Sequence, residues 1–224
     1  MTRDKSIGWA DETLNIVTGC RRGCTWCEAR ETHHRFERIW GYDFAPMFHR
    51  ERLKIPYGWR KPRVCFLNSM GEVFSDEIND AQVNLMLHMA EDNPRHRFLI
   101  LTQRTERIGD FHYPSNVWVG VTVRFSSEEH RIWRLVAKAD AEVKFVSFEP
   151  LMAPMRDMNL HGINWVIIGG RRKIVWPRPL PKFVPPHEWV EPIIAEARRV
   201  GAAVFLKQNL EWPEVVREWP SEKC

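Results

Sequence analysis

Seven short apolar runs, each followed by polar residues, constrain the fold of this chain more than any other feature. Each run is nearly continuous in apolar residues, which is typical of parallel strands that are covered on both faces. Turn-forming residues or helical patterns separate one run from the next. The predicted strands are 14–17, 63–68, 98–102, 117–122, 143–147, 165–168 and 203–206.

The segments between these runs predict helices. They begin at Glu28, near Asp80, after Arg104, at Ser126 and near Glu191. Gly41 is placed to end the first helix, Asp80 is a favoured N-cap residue, and Pro192 fits only the first turn of the last helix. Repeated strand-then-helix units indicate a parallel sheet with helices outside it. We therefore predict an α/β fold, a parallel (β/α) barrel of TIM type that is open or partial, with six to seven βα units.

The predicted domain organisation is a single barrel domain over residues 1–224, which is a usual length for one such domain. An irregular insertion is expected at about 42–62 and a C-terminal extension at about 209–224. No apolar run reaches the roughly 18 residues that a membrane span needs, and the N-terminal residues 1–5 do not begin a signal peptide. These features predict a cytoplasmic protein without a membrane partner. The net charge of +4 permits a polyanionic partner without establishing one.

A cysteine loop follows the first predicted strand. Three of the five cysteines, Cys20, Cys24 and Cys27, have the spacing C-x3-C-x2-C. In a reducing compartment, clustered cysteines indicate metal or redox chemistry rather than disulfides. Three thiolates on one short loop can hold a metal centre that keeps an open coordination position. The other two are expected to be inert, with Cys65 in the core of a strand and Cys224 free at the end of the chain.

Polar residues follow every predicted strand. The active site of a parallel α/β barrel lies at the carboxyl ends of its strands, so these residues are candidates for the site. Beside the cysteines, the candidates are Ser69, Gly71, Glu72, Arg104, Thr122, Arg124, Glu149, Gly169, Gly170, Arg171, Arg172, Lys207 and Gln208.

The cysteine motif, with Trp26 before its last cysteine and its place after the first strand of a parallel barrel, resembles the signature of the radical S-adenosylmethionine (radical SAM) superfamily. The resemblance implies a [4Fe-4S] cluster held by Cys20, Cys24 and Cys27, with S-adenosylmethionine on the iron that lacks a protein ligand. One-electron cleavage of that cofactor releases a 5′-deoxyadenosyl radical, which abstracts hydrogen from a substrate. An external reductant of the flavodoxin or ferredoxin type is an implied partner.

More narrowly, nearly the whole chain is similar to a small phage-associated family of radical-SAM-like proteins of formerly unknown function. The stretches that carry the similarity are 9–11, 15–20, 59–63, 68–70, 146–151, 168–170 and 205–208. Many members have a longer gap between the first two cysteines. Many also have glutamate after the paired glycines, where this chain has Arg171 and Arg172, a difference that favours a more anionic substrate.

The leading substrate hypothesis from this resemblance is a modified thymine base of phage DNA, on which an amino-acid-derived substituent is rearranged. DNA or a modified nucleotide would then be a partner, in the cytoplasm of a bacterial host. The alternative is a radical SAM enzyme that acts on a peptide, a protein or a small molecule.

Roles for the candidate residues follow from the resemblance and from their position. The expected cofactor-binding residues are Trp26, Ser69, Gly71, Glu72, Thr122, Arg124, Gly169 and Gly170. The carboxylate of Glu72 suits the ammonium group of the cofactor, and the guanidinium of Arg124 suits its carboxylate. Glu149 and Lys207 are assigned as catalytic residues. Arg104, Arg171, Arg172 and Gln208 are assigned to the substrate, and these arginines with Lys207 would make one side of the site positive.

Each of these residues has a simpler alternative. Glu72 would otherwise be a solvated loop acid, Glu149 a partner in a salt bridge to a neighbouring arginine, and Arg124 a surface residue. The loop itself has an alternative in a non-catalytic Cys3His zinc module completed by His33 or His34. The predicted core is large enough to need no zinc, and packing is the usual role of a histidine on an apolar helix face. Hydrolase and NTPase motifs are missing from the sequence.

Overall fold

The structure is a computed structural model that describes residues 7–41, 43–156 and 158–220. Its strands are β1 (Glu12–Leu14), β2 (Val17–Thr18), β3 (Met47–Phe48), β4 (Val64–Leu67), β5 (Arg97–Thr102), β6 (Val117–Thr122), β7 (Lys144–Phe148), β8 (Trp165–Ile168) and β9 (Ala203–Leu206). Its α-helices are α1 (Glu28–Trp40), α2 (Asp80–Glu91), α3 (His130–Lys138) and α4 (His187–Val200). Short 3-10 helices cover Arg50–Lys54, Pro56–Gly58, Ser126–Glu128 and Gln208–Leu210.

Seven of the strands form one parallel sheet in the order β1-β4-β5-β6-β7-β8-β9. Apart from the small β2–β3 pair, the spatial order of the strands therefore follows the chain. The sheet curls into an open half-barrel, with β1 and β9 at its two edges. The prediction of an α/β fold built on an open parallel sheet is confirmed. All carboxyl ends lie at one edge of the half-barrel, which brings together the polar residues that follow the strands.

The two faces of the sheet have different cores. One face packs against α2, α3 and α4 through aliphatic residues such as Met86, Leu135 and Ile193. The other face holds an aromatic cluster that includes Trp9 and Trp165, both fully buried. These indoles contact each other edge to face, with ring centroids 6.1 Å apart. Packing therefore accounts for several of the eleven tryptophans.

The first predicted strand, 14–17, is in fact divided between two sheets. The chain leaves the main sheet after Leu14, because the side-chain oxygen of Asn15 accepts hydrogen bonds from the Met70 N–H (2.9 Å) and the Ser69 hydroxyl (3.2 Å). It then forms β2, which pairs antiparallel with β3. The insertion, predicted to be irregular, therefore contributes a strand together with two 3-10 helices. Its Tyr42 lies outside the described residues.

The helix predicted after Arg104 is wrong, since the described segment 103–116 contains no helix. The guanidinium of Arg107 instead donates to the carbonyls of Ser75 (2.9 Å) and Ile78 (2.8 Å), which ties this segment to the loop after β4. Among the described residues of the crossover between β7 and β8 there is likewise no helix.

The ends of three other helices also differ from the predictions. The N-cap of α2 is Asn79 rather than Asp80, because Asn79 and Gln82 exchange backbone and side-chain hydrogen bonds of 3.0 Å in a capping box. A 3-10 turn at Ser126 precedes α3. Helix α4 begins four residues before the predicted start at Glu191, so Pro192 lies in its second turn rather than its first.

The last described residues return to the sheet. Trp219 stacks on Trp165 with ring centroids 4.8 Å apart, so the predicted C-terminal extension covers the aromatic cluster. Cys224 and the N-terminal residues 1–5 lie outside the described residues. Within the described ranges, the helices are too short or too polar to cross a membrane.

Candidate functional site

Two glycines fix the start of the cysteine loop. Gly19 has φ +84°, and a Cβ atom there would lie 2.0 Å from the carbonyl oxygen of Ala45. Gly71, in the segment after β4, is equally confined, since a Cβ atom would lie 2.6 Å from the carbonyl oxygen of Val17. The Gly19 N–H donates to Met70 O (2.8 Å), and the Glu72 N–H donates to Gly19 O (3.2 Å). The loop is therefore clamped against the carboxyl end of β4.

The end of the loop is fixed by helix α1. Cys27 is its N-cap residue, and the sulfur atom accepts the backbone N–H of Arg30 at 3.3 Å. The Arg30 guanidinium donates to the carbonyl of Cys20 (3.3 Å), while the Arg22 N–H donates to the Cys20 sulfur (3.4 Å). N–H donors at a helix N-terminus favour an anionic sulfur.

The three thiols of the loop line one cavity of about 160 Å³. The structure has Cys20, Cys24 and Cys27 as free, partly buried thiols. Burial raises the pKa of the Cys20 and Cys27 thiols, although the N–H donors described above oppose this shift. Other residues on the cavity wall include Asn68, Ser69, Gly71, Glu72, Gln103 and Thr122. Among the described residues, no three His, Cys, Asp or Glu side chains are arranged to share one metal ion.

Glu72 is a buried carboxylate in the cavity wall. It accepts hydrogen bonds from the Thr102 hydroxyl (2.5 Å) and from the backbone N–H groups of Gln103 (3.1 Å) and Phe74 (3.3 Å). Burial raises the pKa of Glu72, with these donors and Arg104 opposing the shift. The donors engage both carboxylate oxygens, so Glu72 braces the segments after β4 and β5 and is not the solvated loop acid of the alternative prediction.

Arg124 lies between a carboxylate and a cysteine. Its Nη2 and Nε atoms donate to Glu128 at 2.6 and 3.1 Å, and its Nη1 atom lies 3.7 Å from the sulfur of Cys24. The guanidinium also lies over the ring of Trp26, at 5.4 Å from the centroid. Arg124 is 3% exposed, so it is not a surface residue. It therefore places a fixed positive charge beside the cysteine loop.

The carboxylate of Glu128 serves a second arginine. Arg131 contacts it at 2.9 Å and also donates to the carbonyl of Thr122 at 2.8 Å. Burial acts to raise the pKa of Glu128, but the hydrogen bonds and charges of Arg124 and Arg131 outweigh burial and lower it. The sequence analysis missed Glu128 and Arg131. They lie four and seven residues after Arg124, and this helical spacing could have indicated that the three side chains are close together.

Glu149 and Lys207 form an ion pair at the carboxyl ends of β7 and β9. The Nζ–Oε1 distance is 2.5 Å, and both side chains are largely buried. Gly169 leaves room for this pair, since a Cβ atom there would lie 3.1 Å from the carboxyl carbon of Glu149. Burial raises the pKa of Glu28, opposed by Arg172 and Lys207 and reinforced by Glu149. Because Glu28 directly follows Cys27, the charges of this ion pair act close to the cysteine loop.

Gly170 packs against the chain near β9. A Cβ atom there would lie 2.7 Å from Phe183 O and 2.9 Å from Asn209 O. The Asn209 amide donates to Gly170 O (2.8 Å) and accepts the Gly170 N–H (3.2 Å). The structure thus gives Gly170 a close-packing role, and it adds Asn209, which the sequence analysis missed. Gln208 is exposed.

The arginines predicted to bind substrate have protein partners. Arg104 pairs with Asp76 (2.7 Å), and Arg172 pairs with Glu28 (2.8 Å) and Glu31 (3.1 Å). The remaining one, Arg171, donates to Pro181 O (2.9 Å) and lies over the ring of Phe183. Carboxylates therefore neutralise much of the predicted positive side of the site.

The two histidines of the zinc alternative contact aromatic rings. His33 is buried against Phe44, with centroids 5.2 Å apart. His34 stacks on Trp176 at 3.9 Å with an interplanar angle of 12°. In the part of the chain that the structure describes, neither histidine is among the residues that line the cysteine cavity.

The fold and the site together define the class of protein. It is an open parallel half-barrel with a three-cysteine cavity at the carboxyl ends of its strands. Residues 4–222 match the profile of the family described as "Protein of unknown function (DUF5131)", and the chain belongs to that family. The comparison with curated proteins gives no match. The comparison with solved structures gives none either.

Proposed function

We propose that this protein is a radical SAM enzyme in which Cys20, Cys24 and Cys27 hold a [4Fe-4S] cluster. One observation carries the proposal: the three free thiols line a single cavity at the carboxyl end of a parallel sheet. This is the edge at which α/β barrels place their active sites. We further propose that the half-barrel is a partial TIM-type barrel with the predicted six to seven βα units.

The chemistry of the donor set fits such a cluster. Thiolates are the usual ligands of iron–sulfur clusters, and three of them leave one iron open. Protein ligands of a cluster bind different irons, so the three sulfurs need not converge on one ion. The raised pKa values of Cys20 and Cys27 mean that metal binding must displace their protons. When bound, the cluster and S-adenosylmethionine supply one-electron cleavage to a 5′-deoxyadenosyl radical.

The chain itself positions and shields this chemistry. The Glu72 brace fixes the cavity wall, and Ser69 and Thr122 offer hydroxyl groups on that wall for a polar cofactor. Arg124 holds a positive charge 3.7 Å from the sulfur of Cys24, and this charge complements the negative charge that a cysteine-ligated cluster would bring to the loop. Glu149 and Lys207 act close to the loop, where they can bind and orient a substrate and hold its protons.

For the substrate, we propose a modified thymine base of phage DNA that carries an amino-acid-derived substituent, with rearrangement as the reaction. The Glu149–Lys207 pair supports this choice, because its two charges are complementary to the ammonium and carboxylate of such a substituent. A peptide or a small amino acid would satisfy the same pair, and it is the second candidate. In either case a flavodoxin- or ferredoxin-type protein would supply the electron.

The proposal is tested by anaerobic reconstitution with iron and sulfide. We expect about four irons per chain and, with dithionite and S-adenosylmethionine, formation of 5′-deoxyadenosine. Cys24→Ala should abolish this product, while Cys65→Ala, which changes a buried cysteine of β4, should retain it. Stoichiometric zinc with no cluster, or equal turnover by Cys24→Ala, contradicts the proposal.

The substrate is tested separately by mass spectrometry of the reacted material. Modified phage DNA, its free nucleosides and an amino-acid-bearing peptide are incubated with the reconstituted enzyme. An isomer formed only from DNA or its nucleosides supports the base as substrate. An altered peptide favours the second candidate.

A further inference from the structure

Residues 171–183 form an ordered hairpin after β8, here called the cationic hairpin. Arg171 and Phe183 exchange backbone hydrogen bonds of 2.8 and 2.9 Å, and Ile174 and Leu180 do the same at 3.0 and 2.9 Å. The turn between them contains Pro177 and Pro179, and proline restricts the backbone. A ligand that binds this hairpin therefore has little chain disorder to overcome.

The cationic hairpin is attached to helix α1. The carboxylate of Glu31 accepts the Val175 N–H (2.6 Å) and the Arg172 guanidinium (3.1 Å). One helical turn further along, His34 stacks on Trp176. Because α1 starts at the cysteine loop, these contacts hold the hairpin at a fixed position relative to the cysteine cavity.

The hairpin carries five cations and no carboxylate. Arg171 and Arg172 are held by the contacts already described, and Lys182 pairs with Glu211. Lys173 and Arg178 are exposed, and neither has a carboxylate partner within the described ranges.

The adjoining face of α1 adds Arg35 and Arg38, which are exposed and likewise lack a carboxylate partner in the part of the chain described here. Glu37, the acidic residue between them, contacts His34 at 3.4 Å. Within the described ranges, the combined surface thus presents four exposed cations that have no carboxylate partner, together with the stacked rings of His34 and Trp176.

We propose that this surface binds a single-stranded nucleic acid, with phosphates on Lys173, Arg178, Arg35 and Arg38 and bases near Trp176. Cationic side chains with interleaved aromatic rings are the usual means of binding single strands. A duplex keeps its bases stacked internally and would gain only the phosphate contacts. The inference rests on the proposed function for the destination of the strand, because helix α1 joins this surface to the cysteine loop.

The test is fluorescence anisotropy of the full-length protein with a labelled single-stranded 20-mer oligonucleotide. Wild-type protein should bind, and raising salt should weaken binding. The double variant Lys173→Glu, Arg178→Glu should bind about tenfold more weakly and lower the salt slope by about 1.4, since each phosphate contact on a single strand contributes roughly 0.7. The variant Arg35→Glu, Arg38→Glu should behave similarly.

The matched control is Arg60→Glu, Lys61→Glu, which makes the same charge change at the opposite, amino-terminal end of the sheet. Its affinity should stay close to that of the wild type. Equal affinities of the wild type and the hairpin variant, or equally strong competition by poly-glutamate, would overturn the inference. Cys24→Ala should bind the oligonucleotide normally, so loss of radical chemistry and loss of strand binding are separate outcomes.

Discussion

The Arg124 guanidinium joins the carboxylate of Glu128 to the sulfur of Cys24, at 2.6 and 3.7 Å. Glu128 also contacts Arg131, so one buried carboxylate serves two buried arginines. The ion network of Arg124, Glu128 and Arg131 therefore contacts the cysteine loop directly. Removal of the carboxylate would leave two arginine charges uncompensated in a region of low polarity, which is costly.

We predict that Glu128→Gln lowers the free energy of unfolding by about 3 kcal/mol or more, as expected when one member of a buried ion pair is removed. Urea denaturation measures this change. Glu106→Gln is the control, because Glu106 pairs with Arg134 at the surface and is 67% exposed there. Its effect should stay below about 1 kcal/mol.

The stabilisation by Glu128 should also depend on pH. The pKa of Glu128 in the folded protein lies below its ordinary value, because the two arginines outweigh the effect of burial. Its contribution is therefore complete above the unfolded-state pKa of about 4.3 and is lost as the pH falls through the folded-state pKa. The stability difference between wild type and Glu128→Gln should shrink on acidification below about pH 4. A difference that grows with acid would contradict this assignment.

Thr102→Val should destabilise the cavity wall by about 1.5–3 kcal/mol, because the buried carboxylate of Glu72 loses a charge-assisted hydrogen bond. Thr102→Ser retains the hydroxyl group and serves as the control. Urea denaturation compares the stabilities of the two variants. The iron content after reconstitution measures how well their cysteine loops bind a cluster. If valine and serine behave alike, the hydroxyl group contributes little.

Gly71→Ala should disturb the cysteine loop, because the new Cβ atom would collide with the Val17 carbonyl oxygen. Overpacking of this kind costs about 1–3 kcal/mol. We expect a lower melting temperature and fewer bound irons per chain. Gly58→Ala is the matched control, since a Cβ atom at Gly58 has no heavy atom within 4 Å among the described residues. Equal melting temperatures for the two variants would exclude the predicted clash.

The fold was predictable where apolar burial dominates. The predicted bounds of β6, β8 and β9 agree with the structure at both ends, because these strands are nearly continuous apolar runs. The first strand was not predictable from apolarity, since the side chain of Asn15 turns the chain by bonding to residues more than 50 positions away. The capping of α2 by Asn79 depends on a contact with Gln82 that could have been read from the sequence.

The residues that come together at the site were predictable from their positions at the ends of the strands. The contacts that these residues make with one another were much less predictable. The cavity contains the three cysteines together with Glu72 and Thr122, because parallel strands carry their following residues to the same edge. The partners of the candidate residues depend on long-range packing. Asn209 contacts Gly170 from 39 positions away in the chain. Charge alone could not show that Arg172 is neutralised by acids of α1.

Lys207→Met tests whether the Glu149–Lys207 pair serves the substrate rather than the cofactor. The charges of the pair act close to the cysteine loop, and neither residue is among those lining the cysteine cavity in the described part of the chain. We therefore expect formation of 5′-deoxyadenosine without substrate to stay within about twofold of wild type. Substrate conversion should fall at least tenfold, which corresponds to about 1.4 kcal/mol of lost transition-state stabilisation. Lys61→Met, an exposed lysine remote from the site, should leave both measurements unchanged. Equal loss of both products in Lys207→Met would instead assign the lysine to cofactor binding.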